Sequence, residues 1–106
     1  MDGVNREVPR TTIESSAAGP TLVTIAGELD LASVPYVERD LDPLVQARPA
    51  SVVFDLSGVS FMDSSGIAML LRVGEKIGSV TVRDPSVAVQ TVLRATGLTD
   101  VLGPEA

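Results

Sequence analysis

Cysteine and histidine are both absent from the 106 residues, and so is tryptophan. Without cysteine there is no disulfide, no thiolate metal site and no cysteine nucleophile. Without histidine there is no Ser-His-Asp triad, no HExxH zinc site and no imidazole acid–base chemistry. Basic residues are scarce, eight against fourteen acidic ones, for a net charge of −6. A phosphate backbone is repelled by such a chain, and so is an anionic membrane surface, which speaks against nucleic-acid and membrane partners. The longest unbroken apolar run is Ile67 to Leu71, far short of a membrane span. No basic segment followed by an apolar stretch opens the chain, so no signal peptide is read. The simplest reading is a cytoplasmic protein. Aromatic residues number three (Tyr36, Phe54 and Phe61), so the core must be aliphatic.

Aliphatic residues are plentiful. Valine alone supplies sixteen positions, and 44% of the chain is hydrophobic, which favours strands and argues against disorder. The length fits one domain, here residues 11–106 behind a flexible polar tail of residues 1–10. Thr11 to Ser15 reads as a short edge strand, Ala17-Ala18-Gly19-Pro20 as a turn, and Thr21 to Ala26 as a second strand completing a hairpin. Gly27 to Asp30 ends it. Ser33 is the expected N-cap of a helix with Pro35 in its first turn and Val34, Val37, Leu41, Leu44 and Val45 at helical spacing. Pro43 lies inside that pattern and predicts a kink or break near Asp42. Ser51 to Leu56 has the continuous apolarity of a strand buried on both faces. A loop over Ser57 to Ser60 follows, then a helix carrying Ile67, Leu70, Leu71 and Ile77, interrupted by Gly74. Val80 and Val82 alternate in a strand over Ser79 to Arg83. Asp84-Pro85-Ser86 caps a helix with Val87, Val89, Val92 and Leu93, for which Gly97 is the natural stop. Leu98, Val101 and Leu102 close the pattern as a short final element. The order β-β-α-β-α-β-α predicts an α/β domain with a mixed, mainly parallel sheet and one antiparallel edge strand.

The chemistry-bearing stretch is Val52 to Leu71. Ligand and partner sites in parallel sheets collect at the carboxyl ends of strands, and Asp63-Ser64-Ser65-Gly66 falls there, at a helix start. Two readings are open. Asp and Ser are favoured N-caps and glycine permits close approach, which makes the run a structural cap. Exposed amides and the helix dipole also suit an anion or a phosphoryl group. Asp30 and Asp55 read as solvated carboxylates at strand ends.

Val53-Phe54-Asp55-Leu56-Ser57-Gly58-Val59-Ser60-Phe61-Met62-Asp63-Ser64-Ser65-Gly66 closely resembles the signature of bacterial anti-sigma factor antagonists, the STAS-domain family. Ile25-Ala26-Gly27-Glu28-Leu29-Asp30-Leu31-Ala32 resembles the family's second-strand motif. Asp84 through Leu93, with Thr96-Gly97-Leu98 and Val101-Leu102, resembles its carboxyl-terminal region. The likeness covers roughly residues 11 to 102. The segment from Leu71 to Val80 is about one turn shorter than in the family, the usual double glycine is reduced to Ile77-Gly78-Ser79, and the last helix is short or missing.

The resemblance implies a phosphorylatable regulatory module without cofactor or catalysis of its own. Ser64 matches the phosphoacceptor. Asp30, Asp63, Ser65 and Gly66 match the partner-binding face. The implied partner is an anti-sigma factor with serine kinase activity, freed of its sigma factor by the unphosphorylated antagonist. Phosphorylation breaks that complex, and a phosphoserine phosphatase restores it. An alternative on the same fold is a STAS subunit of a transporter or stress-signalling assembly, with Ser64 only a cap. An aspartate-phosphorylated receiver would use Asp30, Asp55 and Asp63 to hold Mg²⁺. It would need a lysine at the site, whereas the single lysine, Lys76, lies well along a helix. As a surface carboxylate, Asp30 would be expected to contribute to binding and little to stability.

Overall fold

The computed structural model describes residues 8–15 and 19–97. Their elements are β1 (Arg10–Glu14), β2 (Thr21–Leu29), α1 (Val34–Ala47), β3 (Val52–Met62), α2 (Ser64–Lys76), β4 (Val80–Arg83) and α3 (Val87–Thr96). The strands form one sheet in the order β1-β2-β3-β4. β1 runs antiparallel to β2, while β2, β3 and β4 are mutually parallel. This is the α/β architecture expected from the order of elements. Of the predicted turn at 17–20, residues 17 and 18 lie outside the described residues, as does the final element at Leu98 to Leu102.

Alternation along the strands sorts side chains to two unequal faces. Val23 and Ile25 of β2, Val52, Phe54 and Leu56 of β3, and Val82 of β4 form one core with Val37, Leu41 and Leu44 of α1, Leu70 and Val73 of α2, and Val89 and Leu93 of α3. The other face holds Leu22, Thr24, Ala26, Asp55 and Thr81, all half-buried. Val53 is buried there between its ladder partners Leu22 and Thr81. The continuous apolar run of β3 therefore reflects its central place in the sheet, with the helices packed on the core face.

Three expectations need correction. Pro9 and Arg10, assigned to the tail, belong to the fold: Pro9 is buried beside Gly27 and Arg10 opens β1. The expected loop at Ser57 to Ser60 is strand. β3 continues to Met62 with two register slips against β2, between Thr24 and Ala26 and between Gly27 and Glu28. Each slip adds a residue to β3, so its period of two restarts twice and looks irregular in sequence. At the first slip the Asp55 carboxylate accepts from Ser57 N at 3.0 Å and from Ser57 Oγ at 2.8 Å.

The third correction is that α1 passes unbroken through Pro43. Leu41 and Leu44 are buried on either side of it, while Pro43 and Arg39 both face solvent. The Arg39 carbonyl, deprived of its i+4 donor, is therefore open to water. Burial of the flanking leucines outweighs the local penalty. Pro43→Ala restores the missing donor and should stabilise the domain by about 1 kcal/mol, the helix gain partly offset by a freer unfolded chain. A higher melting temperature is expected; a lower one would show that the ring itself is needed.

Candidate functional site

Leu29 and Met62 are partners at the carboxyl ends of β2 and β3. Each strand turns directly into the helix that follows, so two turns lie side by side. Asp63 N donates to Leu29 O at 3.2 Å, joining them. Gly66 brings them closer still. It is buried, and a Cβ built on it would sit 3.0 Å from Met62 Cγ, 3.1 Å from Leu29 Cβ and 3.2 Å from Leu29 O. Only a residue without a side chain lets the start of α2 press on the end of β2. Gly66 thus positions the site from beneath.

Asp63 is the N-cap of α2. Its carboxylate accepts from Ser65 N at 2.8 Å, and its carbonyl accepts from Gly66 N at 3.1 Å and Ile67 N at 3.4 Å. The amides of Ser65, Gly66 and Ile67, which an anion at this helix start would use, are thus already committed within the protein. Capping therefore accounts for Asp63, Ser65 and Gly66. It leaves the Ser64 side chain aside: Ser64 is exposed, whereas Asp63 and Ser65 are half-buried and Gly66 is buried.

The neighbouring turn is built around Asp30 and Ser33. Ser33 N donates to Asp30 Oδ1 at 2.9 Å, and Asp30 N donates to Ser33 Oγ at 2.9 Å. The Ser33 hydroxyl also donates to Glu28 O at 2.6 Å. Asp30 O accepts from Ser33 N at 3.1 Å and Val34 N at 3.0 Å. Ser33 occupies the N-cap position of α1 but makes no side-chain cap bond to the helix; its hydroxyl faces back toward the strand. Asp30 is half-buried and holds the turn, unlike the solvated carboxylate expected. Asp30→Ala should therefore cost about 1 kcal/mol, as loss of a capping carboxylate does, and lower the melting temperature by several degrees. An unchanged melting curve would show that the turn holds its shape without this pair.

Asp55 serves the bulge of β3, and among the described residues Asp30, Asp55 and Asp63 do not assemble into a group that could hold a metal ion. Sequence reasoning missed the apolar rim. Leu31 and Phe61 stand exposed beside the two turns, and Val8 and Tyr36 line a shallow cavity of about 150 Å³ with Glu28 and Asp30. The signal for Leu31 was present: a large aliphatic residue in a turn, where polar residues are the rule. No helix among the described residues is long and apolar enough to cross a membrane.

The sequence matches the STAS domain family over residues 10–105. The chain belongs to the STAS-domain family. Over 60 residues this STAS domain is 37% identical to the anti-sigma-F factor antagonist RsfB of Mycobacterium tuberculosis, a stretch covering 57% of the chain and 49% of RsfB. The match thus spans about half the length of that relative. The crystal structure of an anti-sigma factor antagonist from Mycobacterium paratuberculosis superposes with a TM-score of 0.81 at 28% identity, covering 91% of this chain and 84% of that one. The phosphorylated form of the Bacillus cell fate determinant SpoIIAA superposes with a TM-score of 0.67 over 92% of each chain; at 20% identity it shows the shared fold.

Proposed function

We propose that the domain is an anti-sigma factor antagonist. Unphosphorylated, it binds an anti-sigma factor that is also a serine kinase, and thereby releases a sigma factor for transcription. The kinase transfers the γ-phosphoryl group of ATP to Ser64 Oγ, with loss of the hydroxyl proton and departure of ADP, and the modified domain no longer binds. A phosphoserine phosphatase resets it. Such a cycle, coupled to ATP and to transcription, places the protein in the cytoplasm. The domain acts by binding and performs no chemistry of its own.

One observation carries this reading. In the run Asp63 to Gly66, Ser64 alone is exposed, on a helix start capped by Asp63 and seated closely on β2 through Gly66. Adjacency in sequence does not separate Ser64 from Ser65; greater exposure supports Ser64, since Ser65 is half-buried and its amide is tied to the cap. The names of the matched relatives and the signature around Ser64 support the same reading.

The test is phosphopeptide mapping after incubation with the purified kinase-class anti-sigma factor of the same organism and ATP. One phosphate on Ser64 is expected, and none on the Ser64→Ala protein. Full incorporation at Ser65 in that variant would remove Ser64 from the account.

A further inference from the structure

Of the large apolar side chains left exposed among the described residues, Val8, Leu31, Tyr36 and Phe61 lie toward the carboxyl ends of β2 and β3, while Ile13 and Val87 lie elsewhere. Phe61 is the ladder partner of Glu28, Leu31 directly follows Asp30, and Val8 and Tyr36 share a cavity with Glu28 and Asp30. Single exposed hydrophobics need no explanation, but several beside one exposed nucleophile do. Leu31 is 78% exposed and Phe61 47% exposed. Tyr36 already carries the Arg39 guanidinium, 5.2 Å from its ring centre. Leu31 and Phe61 have no such cover.

We infer that Leu31 and Phe61 are the apolar anchors of the complex with the kinase-class anti-sigma factor, entering an apolar cleft that is ringed by basic residues. This rests on the antagonist reading above and adds the chemistry of the partner's surface. The basic ring follows from charge: Glu28 is the ladder partner of Phe61, Asp30 precedes Leu31 and Asp63 follows Phe61 by two residues, in a chain of net charge −6. A second copy of this chain would bring the same carboxylates against themselves across a twofold axis, so it is a poor occupant. In such an interface the charges govern encounter, while buried apolar anchors govern how long the complex lasts. Ser64 follows Phe61 by three residues, and its turn is joined to the turn carrying Leu31 by the bond from Asp63 N to Leu29 O, so the surface that holds the kinase would also present the hydroxyl to it.

The test compares the purified wild-type domain with Leu31→Ser, Phe61→Ser and Val87→Ser against the kinase-class anti-sigma factor. Val87 is 77% exposed at the start of α3, outside the rim, and serves as the matched control. Leu31→Ser and Phe61→Ser should each weaken binding by about 10- to 100-fold, mainly through faster dissociation. The KM for Ser64 phosphorylation should rise in parallel. Association of the wild type should slow as salt is raised. Val87→Ser should bind as wild type does, and Leu31→Ser, being a surface change, should melt as wild type does. Wild-type affinity in Leu31→Ser would overturn the inference while leaving the antagonist reading intact. Wild-type self-association that Leu31→Ser abolishes would assign the rim to a second copy and likewise overturn it. Failure of the wild type itself to bind the kinase would defeat the antagonist reading and the inference with it.

Discussion

A phosphate on Ser64 will lower affinity for the anti-sigma factor by about a hundredfold or more while leaving the fold in place. The added group carries about −1.5 to −2 charges at neutral pH. A free helix start would reward that charge by about 0.3–1 kcal/mol. Here the cap is already filled: the Asp63 carboxylate holds Ser65 N, and its carbonyl holds Gly66 N and Ile67 N. The phosphate finds few open donors at the helix start and meets the Asp63 charge beside it, a repulsion that solvent keeps small. Attraction and repulsion are of similar size, so nothing drives the helix to move. A complex closing over Ser64 has no such balance. It must bury a dianion among Glu28, Asp30 and Asp63, and an imperfectly paired buried charge costs about 3–5 kcal/mol, where each 1.4 kcal/mol is about tenfold in affinity. Amide NMR spectra should show shifts confined to residues near 28–33 and 60–70. Shifts spread through β3 and β4 would show that phosphorylation refolds the domain.

Gly66→Ala should destabilise the domain by about 2 kcal/mol, against the trend of helix propensity. In an exposed helix this change stabilises by about 0.5–1 kcal/mol. At Gly66 the new methyl meets Met62 Cγ at 3.0 Å, Leu29 Cβ at 3.1 Å and the Leu29 carbonyl oxygen at 3.2 Å. Leu29 and Met62 are both buried, so neither can step aside freely. Overpacking of this kind costs about 1–3 kcal/mol, and a net loss of about 2 kcal/mol lowers Tm by about 8–16 °C in a domain of this size. The available relief is a shift of α2 away from β2, which carries Ser64 with it, so phosphorylation should slow as well. A raised Tm would show that the two turns do not need this close approach.

Much of the architecture was legible in the sequence because its signals are local and redundant. Alternating Val80 and Val82, helical spacing from Val34 to Leu44, and the Ser86 and Gly97 caps each mark an element. Both caps are realised: Ser86 Oγ accepts from Val89 N, and Gly97 adopts a φ of 70°. The failures share one physical origin, contacts made across the fold. Ser57, Gly58 and Ser60 look like a loop because the bulges that keep them in β3 depend on the register with β2. Pro43 looks like a helix breaker because, although Leu41 and Leu44 are spaced for a helix, how far their burial outweighs the proline penalty depends on the packed fold. The Asp63 cap was readable from residue type, while residue type alone left a cap and an anion site open and only the family signature singled out Ser64. That Gly66 works from beneath, Asp30 is tied to Ser33, and Leu31 and Phe61 stand exposed beside them required coordinates.

Ser64 is proposed as the switch between bound and free states. Its most direct test is calorimetric titration of the purified kinase-class anti-sigma factor with the unphosphorylated domain and with the domain singly phosphorylated on Ser64. Tight binding of the first is expected, with affinity weaker by about a hundredfold or more for the second. Equal affinities for the two forms would contradict it.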